Sequence, residues 1–241
     1  VQIEAGVMST TRDKHENRHG AFYGRRKGHK LRPRQAELLS SLLPNLALDL
    51  TRPGPADVRT LFSVPVECAA LEIGFGGGEH FVIEAQANPS VGYIGCEPFV
   101  NGMAKALALI EATKVRNVRL HHGDALDMLE WLPGGAVIRI DLFYPDPWPK
   151  RRHWKRRFVS DEMVARFARV IAQEGTLRFA TDVPDYAEWS LLRIMRSSAF
   201  EWTAERAEDW RRPWPGFFGT RYETKAAREG RTPCYLTFRR T

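Results

Sequence analysis

A chain of 241 residues with 43% hydrophobic side chains can bury one α/β core, and its length suits one domain with decorations better than two. Thirty-six Lys and Arg against 29 Asp and Glu leave a net charge of +7, which favours a polyanionic partner and says little about fold. Cys68, Cys96 and Cys234 lack Cys-x-x-Cys or Cys/His spacing, and no apolar run reaches about 18 residues, so disulfides, structural zinc, a signal peptide and a membrane span are not expected. The expected compartment is cytoplasmic.

Residues 1–33 read as a basic, flexible arm. Between Arg12 and Arg34 nine Lys or Arg stand against Asp13 and Glu16, and Gly20, Gly24 and Gly28 interrupt. Residues 34–241 read as a single domain. Its first element is a short amphipathic helix from Arg34 to Leu43, stopped by Pro44, and Pro53, Gly54 and Pro55 mark a loop. From Cys68 strands and helices alternate: strands over Ala69–Ile73, Val91–Cys96, Val118–His121 and Ala136–Phe143, with helices over His80–Asn88, Val100–Lys114 and Leu126–Leu132. A helix over Asp161–Ile171, a strand over Thr176–Ala180 and a helix over Asp185–Ser198 follow. Glu205–Arg231 has no clear period and reads as mostly loop; Cys234–Phe238 reads as a last strand. The pattern predicts a Rossmann-like, doubly wound, mostly parallel sheet.

Glu72-Ile73-Gly74-Phe75-Gly76-Gly77-Gly78 follows a strand and opens a helix, so Gly74, Gly76 and Gly78 are expected to let a ligand approach the backbone. Glu79 stands where a dinucleotide fingerprint needs its third glycine, which places a negative charge where a pyrophosphate would bind. A nucleoside without phosphates fits better, and S-adenosylmethionine is such a ligand. Glu97, 19 positions after Gly78 at a strand end, can accept from both ribose hydroxyls. Asp124 can accept from the adenine amino group or cap the helix after it. Glu72 can meet the cationic end of the cofactor.

The run Phe143–Phe158, FYPDPWPKRRHWKRRF, passes from a strand through Asp146 into Lys150, Arg151, Arg152, Lys155, Arg156 and Arg157 with no acid among them. A carboxylate at a strand mouth beside dense positive charge suits a nucleic-acid ligand, with Arg151, Arg152, Lys155, Arg156 and Arg157 on the RNA backbone. Trp148 between prolines is either packing or a base platform. Trp202, Trp210, Trp214, Phe217 and Phe218 read as packing, and His80, His121, His122 and His153 have no partner spacing.

EIGFGGG at 72–78, Glu97, GDA at 123–125, FYPDPWPKRRHWKRRF, ATD at 180–182, TRYETKA at 220–226 and GRRKG at 24–28 together resemble the bacterial tRNA (guanine-N7-)-methyltransferase family over nearly the whole chain. The resemblance implies methyl transfer from S-adenosylmethionine to N7 of the variable-loop guanosine at position 46 of tRNA. It further implies that Glu72, Glu97, Asp124 and Asp146 lie at the cofactor, and Lys150, Asp182, Thr220, Arg221, Tyr222 and Glu223 at the substrate. Guanine N7 has a lone pair and no proton, so positioning suffices without a general base. Asp146 is the candidate catalytic carboxylate, facing the positive charge that develops on guanine. Glu223 is the candidate reader of guanine N1–H and its amine, with Asp182 assisting, and Trp148, Arg221 and Tyr222 supply planes for an unstacked base. The partner is then tRNA, without metal or membrane, and a monomer is favoured over a dimer. Competing readings are a class I methyltransferase acting on another guanine-bearing RNA or on a protein, and a non-catalytic RNA-binding protein of the same fold.

Overall fold

Strand periodicity decides how this chain layers. In β1 (Cys68–Ile73), Ala69, Leu71 and Ile73 join one apolar cluster while Ala70 joins another, because successive side chains leave a strand on opposite faces. The computed structural model describes residues 23–241, so the expected arm lies outside the described residues up to residue 22. Ahead of β1 come α1 (Pro33–Ser41) and α2 (Leu43–Leu46). Pro44 does not end the first helix as expected; it sits in the first turn of α2, where its missing N–H costs nothing.

After β1 the chain forms α3 (Glu79–Ala87), β2 (Val91–Cys96), α4 (Val100–Thr113), β3 (Val118–His121), α5 (Ala125–Trp131) and β4 (Val137–Phe143). Next are α6 (Asp161–Val170), β5 (Ile171–Thr181), α7 (Pro184–Met195), β6 (Phe200–Trp202), α8 (Glu208–Arg211), α9 (Arg221–Arg228) and β7 (Cys234–Arg240). Ile171, expected in a helix, starts β5. Residues 205–231, expected as mostly loop, contain α8 and α9, and β6 and the 3₁₀ turn over Arg151–Arg156 are additions to the expected elements.

The seven strands run in the order β3-β2-β1-β4-β5-β7-β6. β1 to β5 are mutually parallel, and β7 enters antiparallel between β5 and β6. The order reverses between β1 and β4, so the loops after these strands diverge and leave a crevice at their C-terminal ends. One face packs Leu129, Phe167 and Ile194 of α5, α6 and α7; the other packs Leu38, Phe81 and Leu107 of α1, α3 and α4. On this second face, between β4, β5 and α3, burial is charged instead of apolar. Arg139 donates to Glu84 at 2.6 Å and to Asp141 at 2.9 Å, and Arg178 donates to Asp141 at 2.6 Å and 2.9 Å. Burial alone would raise the Asp141 carboxyl, yet Arg178 and Arg139 hold it below its ordinary range.

Part of the expected arm is tied down. Val100 N–H donates to Arg26 O at 3.0 Å, Gly28 N–H donates to Asn101 Oδ1 at 2.7 Å, and Asn101 Nδ2 donates to His29 O at 2.7 Å. Residues 26–29 thus cross the start of α4 instead of forming a free tail. Among the described residues, no helix is long and apolar enough to cross a membrane.

Candidate active site

The loop between β1 and α3 needs glycine because Gly74, Gly76 and Gly78 hold φ of 71°, 60° and 79°, a region side chains disfavour. Their jobs differ. Gly74 and Gly76 line a cavity of about 800 Å³, within the range that holds a drug-sized ligand. Gly78 does not line it; a Cβ there would meet Ala106 Cβ at 2.6 Å, so this glycine serves the contact with α4. α4 comes equally close through Gly102, where a Cβ would lie 2.4 Å from Gly76 O. Gly102 is not among the expected site residues; its one signal in the chain is that Gly102 and Ala106 are small residues four apart on one helical face.

Glu97, at the end of β2, closes onto this loop. One carboxylate oxygen accepts from Gly76 N–H at 2.6 Å and the other from Phe99 N–H at 2.8 Å, which leaves further lone pairs for a ligand. Burial pushes its carboxyl up to about 7 despite these two bonds and the charge of Arg221. Asp124 lines the same cavity and caps α5, accepting from Leu126 N–H at 3.0 Å, so the two sequence readings of this residue are compatible. Asp146 lies at the solvent-exposed mouth, yet the protein around it raises its carboxyl too. Two non-glycine residues flank its Pro-Asp-Pro turn in left-handed conformation, Tyr144 at φ 50° and Trp148 at φ 44°. Such backbone persists only where surroundings over-determine it.

Glu72 stands apart from the other acids. Strand parity aims it toward α3, where His80 Nδ1 lies 2.9 Å from Glu72 Oε2, with both side chains nearly inaccessible. The expectation that His80 lacks a partner is corrected here: β1 ends and α3 begins so close together that the second residue of the helix meets the strand's last outward acid.

The basic run divides in two. Arg151, Arg152 and Lys155 are exposed, and Arg156 packs over Trp148 and Tyr23 at 5.0 and 5.1 Å while lining the cavity with Lys155. Arg157 is different: it is 3% exposed, donates to Pro147 O at 2.9 Å, pairs with Asp185, and stacks against Trp154, Tyr186 and Trp189. Its expected place on an RNA backbone is therefore corrected, because its guanidinium is buried and ties the loop to α7, with Nη1 left unpartnered at the edge of the cavity. Trp148 also lines the cavity, so it packs and faces the ligand space at once.

From α9, Arg221 and Tyr222 reach the cavity; Arg221 donates to Tyr222 Oη at 3.0 Å, and the Tyr222 ring stacks on Tyr144 at 6.2 Å. Thr220 caps the helix, accepting from Glu223 N–H at 3.2 Å, and lines a smaller space beside Gly74 and Glu72. Lys150, Asp182 and Glu223 line neither. Lys150 is exposed ahead of the 3₁₀ turn, Asp182 accepts from Arg231 at 2.7 Å, and Glu223 Oε1 accepts from Tyr235 Oη while Oε2 is buried without a donor. Among the described residues no cluster of His, Cys, Asp and Glu could hold a metal ion.

Residues 67–236 match a family model described as a putative methyltransferase. The chain is 56% identical over 237 residues to a tRNA (guanine-N(7)-)-methyltransferase of Rhodopseudomonas palustris strain BisA53, covering 98% of this chain and 95% of that protein. It is 57% identical over 225 residues to the like-named protein of Nitrobacter hamburgensis, covering 93% and 88%. Among solved structures, the 16S rRNA methyltransferase KamB matches with TM-score 0.54 at 18% identity, covering 76% of this chain and 91% of that one. TrmN from Thermus thermophilus matches with TM-score 0.51 at 13% identity, covering 76% and 47%. Likeness at these low identities concerns the fold.

Proposed function

The chain belongs to the tRNA (guanine-N7-)-methyltransferase family, and from that premise we propose that it methylates N7 of the variable-loop guanosine, position 46, in tRNA, using S-adenosylmethionine. The observation that carries this reading is one cavity lined by the carboxylates of Glu97, Asp124 and Asp146 together with the cations of Lys155 and Arg156. Buried carboxylates suit a sulfonium donor, and cations suit an RNA backbone. Bound there, S-adenosylmethionine supplies an electrophilic methyl carbon.

In this reading Glu97 accepts from the ribose hydroxyls, Asp124 from the adenine amine, and Gly74 and Gly76 bring the backbone close. Arg151, Arg152, Lys155 and Arg156 hold phosphates, while Tyr222, backed by Tyr144, offers a plane to the unstacked base. The N7 lone pair forms the new bond to the methyl carbon as the carbon–sulfur bond breaks, and positive charge passes from sulfur to the guanine ring. Asp146 faces that charge, and no proton needs to move. The reading uses a monomer, and the compartment it needs is the cytoplasm.

The test is tRNA carrying 7-deazaguanosine at position 46. Methyl incorporation from labelled donor is expected to vanish, and continued full incorporation would assign the acceptor to another atom.

A further inference from the structure

The carboxylate of Glu72 is held by another buried side chain, His80. With Gly74, Gly77 and His80 it borders a space of about 20 Å³, room for a single water, next to the large cavity and sharing Gly74 with it. His80 reaches it from the first turn of α3 and is itself fixed on other sides. Its ring meets Phe143 edge-on at 5.0 Å and Phe217 at 5.0 Å, and Phe217 belongs to the segment that leads to α9. The imidazole therefore has little rotational freedom, and the carboxylate oxygen bonded to it has little either.

We propose that His80 is a positioning residue for the donor: by pinning Glu72 Oε2 it turns Oε1 into a fixed acceptor for the ammonium of the cofactor's amino-acid end. This rests on the reading that the cavity binds S-adenosylmethionine. Burial opposes a charge on His80, but Glu72, Asp141 and Glu84 outweigh it and raise the imidazole above its ordinary value, which keeps Nδ1 a donor. Without the pin, the carboxylate can turn away from the ligand. The loss is that of one charge-assisted hydrogen bond, about tenfold in affinity.

The effect must be confined to ligands that carry the amino-acid end. Calorimetric titration of the full chain with S-adenosylmethionine and with 5′-methylthioadenosine, which lacks that end, separates this from a structural role. His80→Leu, which keeps bulk and loses the donor, is expected to weaken the first about tenfold and leave the second within about twofold; His80→Asn, whose amide can replace Nδ1, is expected to recover most of the loss. Equal losses for both ligands, or none for either, would overturn the proposal. Should His80→Leu fail to fold, Glu72→Gln decides: it is expected to show the same selective loss, and undiminished affinity for S-adenosylmethionine would overturn the proposal. Wild-type protein that binds neither ligand would overturn the cofactor reading itself, whereas wild-type binding with unaltered variants removes only His80.

Discussion

Acidifying the solution from pH 7.5 to 5.5 should weaken S-adenosylmethionine binding about 25-fold, because Glu97 must be ionised to accept from two hydroxyls while already accepting from two backbone N–H groups. Its carboxyl is pushed up to about 7 by burial, so roughly one molecule in 30 is ionised at pH 5.5 and most are at 7.5, a difference of about 2 kcal/mol. The stability of the free protein should run the opposite way. A carboxyl raised above its ordinary value near 4.5 contributes most while protonated, and that contribution, about 3 kcal/mol, is lost as the pH climbs through about 7. Calorimetric Kd across this range, with thermal unfolding of the ligand-free protein beside it, reads both trends. Glu97→Gln offers one acceptor to two backbone donors, so its affinity drops at every pH, but its slope should be flat. Equal wild-type affinity at both ends of the range, or the same slope in the variant, would refute the reasoning; Asp124 and Asp146, also raised by burial, would then be the groups to test.

Gly102→Ala should force α4 away from Gly76 O and cost about 1–3 kcal/mol in stability, with weaker cofactor binding than a volume change elsewhere on α4 produces; unchanged unfolding and affinity would show that the contact yields easily. Reversing Arg151 and Arg152 to Glu should weaken tRNA binding and lower the slope of log affinity against log salt, with the melting temperature unaltered; an unchanged slope would make that face ordinary solvated surface. Arg157→Ala should do the reverse in part, lowering the melting temperature through loss of a buried side chain packed on three aromatic rings, about 2 kcal/mol or more, and a variant as stable as wild type would contradict its structural role. Asp146→Ala should reduce turnover far more than tRNA affinity, and equal losses would move this residue from the chemistry to RNA binding.

What could be read from the chain is what depends on local period. β1 to β4 and their helices appear within a residue or two of expectation because alternation, the Gly-rich turn and strand-end acids are local signals. Residues 205–231 gave no such signal: Trp214 is fixed by a 2.7 Å bond to Thr237 and by ring contacts with Phe143 and Tyr235, partners supplied by distant strands. Composition cannot separate Arg157 from Arg151 or Arg152, since only the fold brings Trp189 and Asp185 against one of them. His80 had a partner all along, but eight residues of separation meant nothing until the parity of β1 and the entry of α3 were known. Asp182 and Glu223, expected at the substrate from the resemblance, do not line the cavity and accept from Arg231 and Tyr235, partners that no local pattern reveals.

The placement of β7 has a consequence for synthesis. β5 and β6 are neighbours of a strand made after both of them, so neither edge is satisfied while the ribosome is still translating the region between. α9, which carries Arg221 and Tyr222 to the cavity, lies in that same interval and is tied to β7 by the bond from Tyr235 to Glu223. A nascent chain halted before residue 234 would thus hold most of the donor's contacts and lack the finished wall opposite them, leaving an open seam that invites chaperones or a second chain.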